Sequence, residues 1–331
     1  MSKNGFLVIS LDFELVWGIF DSVKLEEKSI YFHNTRKVIP SVLKLFKDYG
    51  IHATWASVGM LFNNNWEEWN NNKPAILPSY SNEILNSYSY GDSCKDHAEI
   101  ACFFAPELIN EISNTEGQEI GTHTFSHYYC LEEGQDVVTF REDLNKAISL
   151  AKKYNLELKS LVFPRNQIKE SYLSVCKEFG ITSVRSNPRS WYWQDVRSES
   201  FLTRISRTAD VYFPLGKKTY KLDELRMDKS GVLEQMASRF LRPVEFIAIL
   251  RTLKLKRIKG EMTNAAKNGE VYHLWWHPHN FGNRPEESLI DLKILLAHFK
   301  MLNNSYNFQS MNMEELRSTV FNNTNQPTTQ I

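Results

Sequence analysis

The sequence predicts an α/β fold organised around a parallel sheet or barrel, and three observations carry that prediction. Phe6 to Phe13 (FLVISLDF) is strand-like, Thr35 to Tyr49 follows a helical period, and Ala53 to Val58 is strand-like again. Strand, helix, strand at this spacing is a βαβ signature, which implies parallel neighbours. The same alternation resumes after Glu119. Polar residues also gather where strand-like runs end, and in α/β barrels chemistry is built on the loops at the C-terminal ends of the strands. A chain of 331 residues with 42% hydrophobic content is long enough to form one such barrel.

Taken in order, Phe6–Phe13 is an apolar run with the character of a buried strand. In the helix that follows, Val38, Val42, Leu45, Phe46 and Tyr49 share one side, and Gly50 is placed to cap its end. Residues 62–116 interrupt the rhythm. Two Asn triplets, 63–65 and 70–72, flank Trp66 and Trp69, and Pro74 and Pro78 follow. This reads as an inserted loop region between two barrel strands, either a functional lid or a surface loop. The strand-like Gln118–Thr122 restores the pattern. Phe140–Tyr154 places Leu144, Ala147, Ile148 and Ala151 at helical spacing, and Leu158–Phe163 is a strand ending at Pro164. Ser171–Phe179 is a helix stopped by Gly180, and Ile181–Arg185 is a further strand. Past residue 210 the pattern weakens until Val271–Trp276, a strong strand, and Glu286–Leu302, a long amphipathic helix. The expected single domain is 1–302, with the insertion at 62–116, followed by a polar, partly disordered tail over 303–331.

Composition narrows the function. Formal net charge is zero and no recognition motif is present, so no nucleic-acid partner is expected. No apolar run approaches the ~18 residues of a membrane span. Strand-like sequence from Phe6 leaves no room for a signal peptide. The four cysteines form no CxxC pair, so a cysteine zinc site is not expected. A cytoplasmic location with reduced thiols is the expectation. Aromatic content of 13% suits a large core or a sugar-binding cleft. Residues 239–259 hold seven basic residues against one acid, Glu245, interleaved with apolar ones. That segment suits either a helix with a solvated basic face or peripheral contact with an anionic membrane surface.

The most informative stretch is His123-Thr124-Phe125-Ser126-His127, just after a strand-like run. A metalloprotease helix needs Glu directly after the first His, and Thr124 stands there instead. Catalytic zinc commonly takes two His and one carboxylate and leaves a position open for water. Asp12 and Glu14 end the first strand and alternate along it, so both side chains point the same way. Two buried carboxylates need partners. One as metal ligand and one as base meets that need, and the residues alone do not say which is which. Arg165, after Phe163-Pro164, is placed to hold a catalytic acid ionised. His277 follows Leu274-Trp275-Trp276, where partial desolvation suits a general acid, with His279 as the competing choice.

Together these residues resemble the polysaccharide deacetylases, the NodB-type carbohydrate esterases. The resemblance runs from about Phe6 to Leu302 through short motifs: Ser10-Leu11-Asp12-Phe13-Glu14, His123-x3-His127, Phe163-Pro164-Arg165-Asn166-Gln167 and Leu274 to His277. Phe13 separates two acids that are more often adjacent aspartates in that family, and the arginine follows the proline rather than preceding it. The resemblance implies a distorted (β/α)7 barrel and a divalent metal, zinc by default, held by Glu14, His123 and His127. It implies Asp12 as base, His277 as acid and Arg165 in the groove wall. The implied reaction removes an acetyl or formyl group from an amino sugar that is nucleotide-linked, lipid-linked or polymeric. Surface-polysaccharide or glycolipid biosynthesis, in the cytoplasm or at the inner membrane face, is the implied setting. The alternatives are a metal-independent cyclic amide or imide hydrolase on the same scaffold and an inactive sugar-binding relative.

Overall fold

A computed structural model describes residues 4–96, 99–197 and 200–324. The strands are β1 (Phe6–Phe13), β2 (Ala53–Ser57), β3 (Gln118–Thr122), β4 (Ser160–Leu161), β5 (Ser183–Ser186), β6 (Arg226–Met227), β7 (Leu233–Met236), β8 (Arg239–Phe240), β9 (Val271–Trp276) and β10 (Gln309–Met311). The helices are α1 (Leu25–Tyr49), α2 (Trp66–Asn71), α3 (Ser87–Cys94), α4 (Pro106–Ser113), α5 (Val137–Lys153), α6 (Glu170–Glu178), α7 (Trp191–Gln194), α8 (Phe201–Tyr212), α9 (Ala248–Asn268), α10 (Pro285–Tyr306) and α11 (Met313–Thr324).

Strands β5, β4, β3, β2, β1 and β9 lie side by side and parallel. The segment 233–240 closes the barrel. Its first half, β7, pairs with β5, and its second half, β8, pairs with β9. Between them the Ala237 N–H donates to Ser186 O at 2.8 Å and the Ser238 N–H to His273 O at 2.8 Å. This bent stave is the seventh parallel one, and the fold is the expected distorted (β/α)7 barrel. The bend is why the sequence past residue 210 shows no clean strand period: neither half is long enough to display one.

Alternation along β1 sends Leu7, Ile9, Leu11 and Phe13 to the layer between strands and helices, where the main core lies. Phe6 and Val8 point into the barrel with Ala56, Val162 and Val271. Above them stand Ser10 and then Asp12, so the interior changes from apolar to polar towards the C-terminal mouth. Gly50 ends α1 in the left-handed conformation (φ 66°) and donates its N–H to Lys47 O and Phe46 O, as its place in the sequence predicts.

Two expectations are corrected. The stretch 303–324, expected to lie in a polar, partly disordered tail beyond the domain, is part of the fold. It completes α10 and forms β10, which pairs with β1, and α11, whose Met313 and Leu316 are buried against Phe6, Val8 and Val271. These few apolar residues sit in a polar sequence, and the surface that buries them, the open base of the barrel, is made by distant segments. Residues 325–331 lie outside the described ones. The insertion 62–116 is not a loop. It carries α2 and α3, and its last helix, α4, packs on β3 as a regular barrel crossover. Trp17, Trp66, Trp69, Tyr90 and Phe103 form one aromatic cluster there, with Trp17 and Trp69 rings stacked at 6.1 Å.

Candidate metal and catalytic centre

Glu14 follows β1, His123 follows β3 and His277 follows β9, all at the C-terminal mouth, where β1 also presents Asp12 near its end. His127 is brought back to His123 by a turn in which Thr124 (φ 64°) and His127 (φ 58°) are left-handed. A β-branched residue rarely adopts that conformation, and it persists only where surroundings enforce it. Here the Thr124 hydroxyl donates to His123 O at 2.6 Å and accepts the Tyr128 N–H at 2.7 Å. Asp143 on α5 accepts the Phe125 N–H at 2.7 Å and also binds the Ser126 N–H and hydroxyl. From behind, the insertion supports the same turn: Tyr80 Oη accepts the Tyr129 N–H at 2.9 Å and Tyr88 donates to Asp143 at 3.3 Å.

The result is a buried carboxylate among four imidazoles. Glu14 Oε2 lies 3.3 Å from His123 Nε2 and 3.2 Å from His127 Nε2. Glu14 Oε1 lies 3.7 Å from His277 Nε2 and 3.6 Å from His279 Nδ1. His123 Nδ1 is 2.8 Å from Val162 O, which can only accept, so Nδ1 carries the proton and the Nε2 lone pair faces Glu14. Two acceptors therefore confront each other, and Glu14 Oε2 has no hydrogen-bond donor although it is buried. A cation satisfies both. Separations of 3.2 and 3.3 Å also match the edge of a tetrahedron, which is about 3.4 Å for ligand bonds of about 2.1 Å. The second set that could hold an ion at the mouth, Glu14 with His277 and His279, shares the same carboxylate.

Burial raises the Glu14 carboxyl, and positive charge among the imidazoles, His277 first, outweighs it and holds it well below the usual range. Burial lowers His127 and pushes His279 down to about 3, which leaves both neutral and able to donate a lone pair. Gly18 is required by Glu14: a Cβ there would stand 1.9 Å from Glu14 Cδ.

Asp12 is paired, but not with Arg165. Arg185, at the end of β5 and 1% exposed, donates to both Asp12 oxygens at 2.7 Å. The same guanidinium reaches Ser10 Oγ at 3.1 Å and Asn166 Oδ1 at 2.9 Å, and lies 4.0 Å over the Trp275 ring. Burial raises the Asp12 carboxyl, and Arg185, then His123, hold it below its ordinary value. Ser10 Oγ is also 2.9 Å from His273 Nε2, and burial with Arg185 nearby pushes His273 down to about 3. Arg165 instead pairs with Asp21, 4.5 Å over the Tyr129 ring. Its left-handed backbone (φ 53°) turns the side chain away from β1.

His277 is a quarter exposed, with Nε2 3.6 Å from Asp12 Oδ2. Its ring is stacked on His279 at 4.9 Å and meets Trp275 and Phe240 edge-on. A cleft of about 520 Å³ opens beside it, bounded by Trp193, Phe240, Trp275 and Arg242. Among the described residues of 62–116, none lines that cleft.

The structure thus gathers five of the six anticipated site residues and replaces Arg165 with Arg185. Arg185 ends the strand-like run Ile181–Arg185 and so occupies the topological position that singled out Asp12. Asp143 carried a signal too, being an acid on the apolar side of its helix with Phe140 and Ala147.

The polysaccharide deacetylase profile matches residues 14–184 of the chain. No curated protein sequence is significantly similar to it. Among solved structures, it is similar to a candidate polysaccharide deacetylase from Mycobacterium smegmatis, with TM-score 0.61 and 13% identity over 100% of this chain and 95% of that one. It also resembles a candidate polysaccharide deacetylase from Pseudomonas aeruginosa PAO1 (TM-score 0.52, 10% identity, 98% of this chain and 92% of that one). The Puue allantoinase is comparably similar (TM-score 0.53, 12% identity, 98% and 92%). Identities this low speak for the fold alone. The profile match spans more than half of the chain and contains Glu14 and the His123–His127 pair: the chain belongs to the polysaccharide deacetylase family.

Proposed function

We propose that the protein is a metal-dependent hydrolase that removes an acetyl or formyl group from an amino sugar or glycan precursor. The observation that carries the reading is the buried Glu14 Oε2, which lacks a donor and faces the Nε2 atoms of His123 and His127. Family membership gives the substrate class, an acylated carbohydrate.

Glu14, His123 and His127 are the residues that would hold the ion, and nitrogen with carboxylate donors suits zinc. When bound, a divalent cation supplies Lewis-acid polarisation and makes hydroxide available near neutral pH. The His123 Nδ1–H on Val162 O fixes the ring and its tautomer, the outer contact that metal-binding histidines use. Asp12 is the base in this reading. Arg185 keeps it ionised and fixed in orientation, and a carboxylate bound by one guanidinium retains lone pairs for the water proton. His277 is the acid for the leaving amine, because of the four imidazoles around Glu14 it is the one that is a quarter exposed while the other three are buried. The proton taken by Asp12 and the proton given by His277 balance as water cleaves the amide to acid and amine. Arg165 is proposed only to brace the Tyr129 side of the turn.

Among the described residues no helix is long and apolar enough to cross a membrane. Four free thiols support a reducing compartment. Membrane contact through 239–259 draws support from the exposed Phe246, Ile247 and Ile249. It is weakened because Arg239, Arg251, Lys254 and Arg257 each pair with a carboxylate.

The test is bound metal and acyl release measured on the same preparations. Wild type is expected to carry about one ion per chain and to release acetate or formate from acylated hexosamines, with both lost in His123→Ala. Hydrolysis of a cyclic amide by protein free of metal would instead support the second reading, which the shared allantoinase fold keeps in play.

A further inference from the structure

The cleft beside His277 is built for more than an acylated amine. Its walls are aromatic near the site: Phe240 lies 4.6 Å from Trp275 and 5.4 Å from His277, ring centre to ring centre. Trp193 faces the same space, held by Arg207 at 4.9 Å from its ring. Flat apolar faces of this kind suit a sugar ring. Farther along, the lining becomes cationic, and its charges differ in how they are matched. Arg239 donates to both Glu261 oxygens at 2.6 Å, with Asp210 3.6 Å away. Arg242, which also lines the cleft, makes no ion pair and no side-chain hydrogen bond among the described residues. The acid in its own loop, Glu245, is taken by Lys254 at 2.6 Å. Lys254 also donates to the carbonyls of Arg242 and Pro243 at 3.1 and 2.8 Å, which fixes the backbone that presents the guanidinium. A half-buried, unmatched guanidinium on a fixed backbone, in a cleft whose other end is the hydrolytic site, is a place for an anion.

We propose that the cleft binds a phosphorylated sugar, with the ring against Phe240 and Trp193, which are partly exposed, and the phosphate on Arg242. The acyl group then lies at the His277 end. The proposal rests on the deacylase reading for what happens at that end, and on Arg242 alone for the phosphate. A nucleoside diphosphate sugar and a polyprenyl-linked sugar offer the same chemistry.

The experiment is calorimetric binding of N-acetylglucosamine, its 1-phosphate and its 6-phosphate to wild type, Arg242→Gln and Arg242→Lys, with acetate release followed in parallel. Wild type is expected to favour at least one phosphorylated form by about tenfold or more, as a charge-assisted contact gives, and to lose that preference as salt rises. Arg242→Gln abolishes the preference and raises KM without lowering kcat, and Arg242→Lys restores part of it. A nucleoside diphosphate sugar and a short-chain prenyl diphosphate sugar, run beside these, identify the source of the phosphate, and preference for either supports the proposal. Equal binding of neutral and phosphorylated sugars by wild type, no binding of any of them, or an undiminished preference in Arg242→Gln overturns it. The two readings separate cleanly. Phosphate preference without acetate release, and without formate release from the N-formyl sugars run in the same way, leaves the cleft assignment standing and removes the deacylase. Acetate release from the neutral sugar with no preference does the reverse.

Discussion

Replacing Arg185 by Met tests the electrostatic logic of the barrel interior. The guanidinium is 1% exposed and makes four side-chain hydrogen bonds, two of them to Asp12 at 2.7 Å. Met fills similar volume, so the change is one of charge rather than of cavity. It leaves Asp12 buried without its cation, and breaking a buried pair on one side costs about 3–5 kcal/mol. That is a large part of the ~5–15 kcal/mol that holds a domain folded. The pH dependence has a definite sign. In wild type the Asp12 carboxyl lies below its ordinary value, so its contribution is present above the normal carboxylate range and disappears as pH falls through the folded pKa. In Arg185→Met the largest opposing charge is gone, burial outweighs what His123 and His277 supply, the carboxyl rises, and the penalty for ionising it grows as pH rises. The gap between wild type and variant is therefore expected to be widest near pH 7 and to narrow towards pH ~4. Urea midpoints at several pH values, with m checked for constancy, measure it. Adding Asp12→Asn to Arg185→Met should recover most of the loss, since an amide carries no charge to strand. A gap under ~1 kcal/mol at neutral pH, a gap independent of pH, or a double variant no more stable than the single one refutes the reasoning.

Gly18→Ala should expel bound metal while leaving the thermal midpoint close to that of wild type, because the new Cβ would stand 1.9 Å from Glu14 Cδ and the three nearest atoms it meets all belong to that side chain. Elemental analysis beside a melting curve decides it, and retained metal would mean that Glu14 is not a ligand. Asp143 works with the opposite sign from Asp12. Burial raises its carboxyl from 3.8 to about 6, so the stability it contributes is fullest below its ordinary value and is lost as pH rises through about 6. The difference is worth ~3 kcal/mol. Asp143→Asn, which can still accept the Phe125 N–H, should flatten the pH dependence of the urea midpoint between about 4 and 6, and an unchanged slope would count against the assignment.

Much of this molecule is readable from one chain. The apolar run that ends in Asp12 and Glu14, the spacing of His123 and His127, and His277 after Trp275-Trp276 each carry their information locally. A strand period fixes which side chains point together, and parallel topology fixes which strand ends meet. Arg185 was the partial case: its place at a strand end was visible, but its partner lies 173 residues away. Arg165 was the misleading one, because it sits in the expected motif and its left-handed backbone turns it towards Asp21.

By itself, the sequence determined the parallel α/β class, the positions of most strands up to residue 185 and of β9, those of several helices, α5, α6 and α10 among them, and the set of chemistries the mouth can hold. Those follow from periodicity and residue type, which are properties of short windows. Only the tertiary structure decided that 233–240 bends to close the barrel, that β10 and α11 seal its base, that Arg185 is the cation on Asp12, and that Arg242 is left unmatched in the cleft. Each of these depends on which distant groups share a buried space. Desolvation makes such pairings matter, and no local pattern records them.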